Sequence, residues 1–234
     1  AQTILKPKMK VEHSSFAIIA DKQTWQECSA ELEAYQQVLG KESLPTFVVY
    51  DTWKNPEAVK KVILSLYKKH KLEGVVFVGD IPIPMIRKAQ HLTSAFKMDE
   101  ETDWHESSVP SDRFYDDFHL KFDFVKQDSL HPQCFYYELG VHSPQLIRCN
   151  IYSGRIKPIA NGVNKYEQIR KYLHKVVEAH QSSNRLDQFF SYTGHGSYSN
   201  SLLAWVPEAY NLREQMPGVF DKEGRARFMR YCFT

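Results

Sequence analysis

The chain has 234 residues, of which 42% are hydrophobic and 25% charged, and its 30 basic and 28 acidic side chains leave a formal net charge of +2. These proportions are those of an average globular protein and exclude a disordered, collagen-like or small disulfide-stapled chain. At this length one large domain or two small ones are expected, burying roughly 70–75% of the surface the unfolded chain exposes.

The near balance of charge, with no stretch that interleaves dense basic residues with aromatics, argues against a nucleic-acid partner. The longest apolar runs, Phe16–Ala20, Phe47–Tyr50 and Val75–Val78, fall far short of the ~18–20 residues that span a bilayer. Because the chain begins at Ala1-Gln2, a processed or trimmed N-terminus is expected, with an export signal among the segments that trimming removes.

Phe16–Ala20 reads as a buried strand, and Thr24-Trp-Gln-Glu27 then offers a capping box for a helix with Trp25, Cys28, Leu32, Tyr35 and Leu39 on one side. Gly40 is placed as its C-cap residue. Thr46–Tyr50 is the second strand, followed by Asn55 as N-cap, Pro56 at the first helical position, and Val59, Val62, Ile63, Leu66 and Tyr67 at helical spacing. Val75–Val78 is the third strand, closing with Gly79-Asp80. This alternation predicts parallel pairing through right-handed crossovers, with helices covering the sheet. Ligands bind such sheets at the carboxyl ends of the strands, where Asp21, Asp51 and Asp80 fall. Asp just after a strand also commonly caps the next helix or shapes a turn.

Residues 81–133 are rich in Pro, Asp and His, with little periodicity, and read as a long insertion. Cys134–Leu139 and Gln145–Ile156 look like two strands around a turn at Gly140–Ser143, which would set Cys134 opposite Cys149 and allow a cross-strand disulfide. Asn164–His180 is a further amphipathic helix. Phe189–Tyr192 is a short strand running into Thr193-Gly-His-Gly-Ser197, followed by a helix around Glu208–Gln215 and a strand-like Arg227–Phe233.

The most specific constellation is Tyr192-Thr-Gly-His-Gly-Ser197. Glycines on both sides of a histidine at a strand end let the backbone turn sharply and leave the imidazole projecting from the carboxyl edge. His195 there suits a general base for a thiol, and the amides of Gly194 and Gly196 could face a developing oxyanion. The alternative is a turn residue. Among the cysteines, Cys28 and Cys149 fall inside a helix and a strand, while Cys232 lies on the next apolar segment. His and Cys on successive parallel strands would make a dyad.

With these motifs in hand, the chain resembles the gingipain family of caspase-like cysteine peptidases. The resemblance is carried by Val75–Pro82 (VVFVGDIP), Ser111–Asp117 (SDRFYDD), Ile151–Pro158 (IYSGRIKP) with the helix after it, and Tyr192–Ser197 (YTGHGS), in the family's order. It implies an α/β fold of mostly parallel sheet flanked by helices. Residues 1–160 would form the N-terminal subdomain, and 161–234 a caspase-like second subdomain that is incomplete.

The resemblance also implies a protein or peptide substrate, no cofactor or metal, and export to the periplasm, cell surface or medium. Residue by residue it puts the family's histidine on His195 and its nucleophile on Cys232, although Tyr231 replaces the small residue the family often has before the cysteine. Two alignments stay open. In one, the second subdomain is shortened and His195 is catalytic; in the other, Phe189–Tyr192 and Arg227–Phe233 are its first two strands, and the dyad lies in a continuation after Thr234.

Arg155, after Gly154, is expected to pair with an acid such as Asp112 or Asp80. The remaining histidines show no zinc-binding spacing. Asp99–Asp103 and Asp116-Asp117 offer oxygen ligands for calcium, against the plainer reading of a solvated loop. No phosphate-cradling glycine motif and no G-x-S-x-G elbow occurs.

Overall fold

A computed structural model describes residues 2–87, 108–144, 146–158 and 164–182, and the backbone of 188–192 and 227–231. The chain divides into two compact units, Ala1–Gln181 and Ser182–Thr234.

The first unit is built on a sheet of five strands. These are β1 (Thr3–Leu5), β2 (Ser15–Asp21), β3 (Thr46–Asp51), β4 (Leu72–Val78) and β9 (Tyr152–Ile156), in spatial order β1-β3-β2-β4-β9. All neighbours pair in parallel except β1, which runs antiparallel along β3. The expected helices fill the crossovers as α1 (Lys22–Lys41) and α2 (Pro56–His70), and α4 (Lys165–Gln181) follows β9.

The central strands are continuous apolar runs because both faces are covered, and their period of two divides them between two cores. Phe16, Ile18, Ala20, Val48, Val76 and Val78 pack beneath Cys28, Leu32 and Leu39 of α1 and Ile169 and Leu173 of α4. On the other face Ala17, Ile19, Phe47, Val49, Val75 and Phe77 meet Val59, Val62, Ile63 and Leu66 of α2. From β2 the chain steps one way to β3, then back across to β4 and β9, so successive helices fall on opposite faces.

Two helix boundaries differ from the sequence reading. Helix α1 begins at Lys22 with Asp21 as its N-cap, so Thr24 is a buried first-turn residue and not the head of a capping box. An acceptor at the strand end already meets the first free N–H groups, and the helix starts sooner. At the other end Gly40 stays helical; Glu42 is the cap and Ser43, at φ 66°, takes the left-handed position, while Leu44 donates its N–H to the Leu39 carbonyl. Asn55 and Pro56 stand where expected, with the Asn55 side chain accepting from the Ala58 N–H at 3.0 Å.

The described residues of the stretch 81–133 form regular structure. They hold β5 (Ile83–Arg87), β6 (Val109–Pro110), the short α3 (Arg113–Asp116) and β7 (Phe122–Gln127), which with β8 (Cys134–Leu139) form a second sheet in the order β6-β5-β8-β7. Strands β5 and β8 are parallel and the other pairs antiparallel. Ile86, Phe114, Tyr115, Phe135 and Tyr137 from this layer complete the core under α2.

The hairpin expected between Cys134–Leu139 and Gln145–Ile156 does not form, because β8 joins the second sheet and β9 the first. Cys134 is therefore a buried free thiol and Cys149 an exposed one, and the cross-strand disulfide is excluded by topology. Helix α4, which a division at residue 160 assigns to the second subdomain, packs its Ile169 and Leu173 into the core of the first unit.

The second unit shows β10 (Gln188–Tyr192) and β11 (Arg227–Tyr231) as a parallel pair, in register from Gln188 opposite Arg227 to Tyr192 opposite Tyr231. Among the described residues no helix is long and apolar enough to cross a membrane.

Candidate functional site

The carboxyl edge of the five-stranded sheet is where an α/β fold presents its chemistry, at the crevice where strand order reverses. Here that crevice, between β2 and β4, is stitched shut by its own side chains. Asp21 accepts from the Thr24 N–H at 2.9 Å and the Asp80 N–H at 2.7 Å, and the Thr24 hydroxyl donates to the same carboxylate. Gly79 sits at φ +84°, and a Cβ there would collide with the Thr24 hydroxyl and the Asp21 carboxylate. Asp21 is thus a cap and a staple, and Asp51 accepts from the Thr52 N–H at 2.8 Å. Both follow the helix-cap and turn reading of these acids.

Asp80 is different: it pairs with Lys165 at the start of α4 and, at 3.9 Å, with Lys157 just past β9. Burial pushes its carboxyl up, but hydrogen bonds from Lys165 and Gln133 outweigh that and hold it below the usual carboxylate range. Burial would lower the Lys165 ammonium, and the bond to Asp80 instead raises it. Beside this cluster a groove of about 380 Å3 runs between Ile156, Lys157 and Pro158 and the Gln168, Ile169 and Tyr172 side chains of α4.

The three N-terminal motifs of the resemblance converge on the same edge. Arg155 of IYSGRIKP grips Asp112 of SDRFYDD with two bonds, Nη2 to Oδ1 at 2.7 Å and Nε to Oδ2 at 3.2 Å. Its remaining donors reach the carbonyls of Ile81 and Pro82 in VVFVGDIP, at 2.9 and 3.3 Å, and the guanidinium lies 5.0 Å over the Phe77 ring. The Tyr115 hydroxyl donates to the Pro82 carbonyl at 2.9 Å, and Asp116 accepts from the Ser153 hydroxyl at 2.8 Å. Arg155 therefore makes the structural ion pair expected of it, with Asp112 as the partner.

Asp116 and Asp117 are buried rather than part of a solvated loop. Burial raises the Asp116 carboxyl against the pull of Ser153 and Arg113. Asp117 gathers four backbone N–H groups, from His119, Leu120, Arg148 and Cys149, and these overcome burial and hold it below the usual range. Each of its oxygens accepts from two backbone N–H groups, and the His119 Nδ1 lies 3.8 Å from Oδ1. Among the described residues no group of three His, Cys, Asp or Glu side chains is placed to hold a metal ion.

His195, Gly194, Gly196 and Cys232 lie outside the described residues, as do Asp99–Asp103 and the helix expected around Glu208–Gln215. Of the thiols that are described, Cys28 is pushed up to about 11 and Cys134 is raised, both chiefly by burial. Cys149 is exposed, with its Sγ 2.6 Å from Arg113 Nη1. The residues that sequence reasoning passed over are Lys157, Lys165 and Gln133. Nothing marks them locally, since single polar residues next to strands and helix starts are usually solvated.

Comparison with protein-family models, with curated proteins and with solved structures returns no match. What the fold defines is an α/β protein of mixed sheets flanked by helices.

Proposed function

We propose that the protein is a cysteine endopeptidase of the gingipain type, on a caspase-like α/β fold, with His195 as general base and Cys232 as nucleophile. The observation that carries this reading is the second unit's strand pair. Strand β10 leads directly into Thr193-Gly-His-Gly-Ser197 and β11 directly into Cys232, and the two run parallel with Tyr192 opposite Tyr231. The chain thus leaves both strands at the same edge, which is the placement a His/Cys dyad on successive strands requires. The joint that Arg155 and Asp112 make between the VVFVGDIP, SDRFYDD and IYSGRIKP segments supports the resemblance in the first unit.

In this reading His195 takes the Cys232 proton and the thiolate attacks a peptide carbonyl. The amides of Gly194 and Gly196 receive the oxyanion, and the intermediate collapses to an acyl-enzyme as His195 returns its proton to the leaving amine. Water then releases the acid product. The substrate is a protein or peptide chain, and the working compartment is outside the cytoplasm.

The test is covalent. A peptidyl chloromethyl ketone is reacted with the full chain in a Cys149→Ser background, which removes the one exposed thiol among the described residues, and the adduct is mapped by mass spectrometry. Alkylation at Cys232 that falls by about a hundredfold or more in His195→Ala is expected from loss of a general base. An unlabelled Cys232 would overturn the proposal in favour of a non-catalytic binding module on the same architecture.

A further inference from the structure

Helix α2 turns its apolar side to the core and carries four lysines around its outer half: the exposed Lys61, Lys68 and Lys69, and Lys60 at the edge against the core. They line a shallow groove of about 470 Å3 together with Glu57 and Ser65. Among the described residues none of the four ammonium groups meets a carboxylate within ion-pairing distance. Glu57, which lines the groove with them, accepts from the Tyr137 hydroxyl at 2.7 Å and keeps its charge, so the four lysines leave the groove with a net charge of +3. Lys60 is the most enclosed. Its Nζ has one acceptor, the Asp117 carbonyl oxygen at 3.4 Å, and stands 4.8 Å over the Phe114 ring. A half-buried cation with a single long hydrogen bond retains donors for an incoming anion.

We infer that this groove on α2 is a docking surface for an acidic segment of a partner protein, with the Lys60 ammonium as its anchor and Lys61, Lys68 and Lys69 as flanking contacts. Charge complementarity selects the occupant. From Lys60 to Lys69 the helix advances about 14 Å, the span of some four or five residues of extended chain. Specific nucleic-acid recognition adds arginine forks and stacking aromatics to lysines, and the groove lining holds neither. Firm seating of a helix in a membrane surface adds buried apolar side chains to electrostatic attraction, and Leu64 is the only one lining the groove.

Binding is coupled to protons. Burial outweighs the pull of the charges facing the Lys60 ammonium, Asp116 at the end of α3, Asp117 just past it and Glu57 on its own helix, and leaves it lowered to about 8. A bound carboxylate adds to that pull, so binding takes up protons near pH 8. Affinity falls as pH rises through that range.

The experiment titrates the full chain with a poly-glutamate decamer at low salt, by calorimetry or anisotropy. Poly-uridylate and phosphatidylserine vesicles serve as competing probes. Expected is saturable binding that weakens with salt, drops about tenfold or more in Lys60→Met, and drops several-fold in the paired variant Lys68→Gln with Lys69→Gln. These last two positions are exposed, so the pair keeps the test informative if Lys60→Met does not fold. Between pH 7 and pH 9 the wild-type affinity should fall about fivefold, and that of Lys60→Met should not. No saturable binding to poly-glutamate, binding insensitive to both variants, or tighter binding to poly-uridylate or the vesicles would each overturn the inference.

Discussion

Asp117 shows how one side chain can organise a segment without regular structure. Its two oxygens accept from His119, Leu120, Arg148 and Cys149, so the turn after α3 and the approach to β9 hang from one carboxylate with no exposed surface. In Asp117→Asn one acceptor becomes a donor facing two N–H groups, and a cost of about 2–4 kcal/mol is expected near neutral pH. The group's folded pKa is depressed. Its contribution is therefore complete above the unfolded value near 4 and is lost as pH falls through the lower folded value. Urea unfolding of the two proteins should show the gap between them narrowing below about pH 4. Asp116 is raised, so its slope has the opposite sign, and the comparison is sharpest in an Asp116→Asn background. An unchanged gap at low pH would show that Asp117 does not carry the linkage. In the sequence these two acids could be read only as a paired acidic group, because nothing local says that thirty residues later the chain returns its N–H groups to them.

Elements whose limits are set by neighbouring residues were legible. Asn55-Pro56 starts α2 where a cap and a proline must, and the period of Val59, Val62, Ile63 and Leu66 faces the core as expected. Elements whose partners are remote were not. The turn at Gly140–Ser143 has the same local chemistry whether the next strand folds back or departs to another sheet, so β8 and β9 read as a hairpin and are not one. The Arg155–Asp112 pair belongs to this scale, because it fastens β9 to the segment before α3 and to the loop after β4. A double-mutant cycle with Arg155→Met and Asp112→Asn should give a coupling of about 1–3 kcal/mol in thermal or urea unfolding. Arg155→Lys should recover little of it, since an ammonium cannot make the two-bond fork and reach both carbonyls. A coupling near zero would mean that the two side chains act independently.

At the scale of the molecule, both apolar cores draw their described members from residues before Gln181. Residues 1–181 expressed alone are therefore expected to unfold in one cooperative transition, with the near-ultraviolet aromatic signal of a packed core. A broad, non-cooperative melt would show that residues 182–234 are needed to complete it. This expectation turns on α4, whose Ile169 and Leu173 seal the face that α1 leaves open, and a fragment ending at residue 160 should lose that seal.

The sequence by itself determined the parts set by short-range patterns. These are the buried strands around Phe16–Ala20, Thr46–Tyr50 and Val75–Val78, the helices between them, their parallel sense, and the pairing of Arg155 with an acid. Each follows from side-chain period, capping chemistry or the geometry of crossovers. The tertiary structure alone decided which strands share a sheet, that residues 83–87, 109–110 and 122–127 join β8 in a second layer, that Cys134 and Cys149 are apart, and that Asp116 and Asp117 are buried. It also set Lys60 of α2 among Asp116, Asp117 and Glu57, over the Phe114 ring. These features depend on groups dozens of residues apart meeting in space, and no local pattern encodes such a meeting.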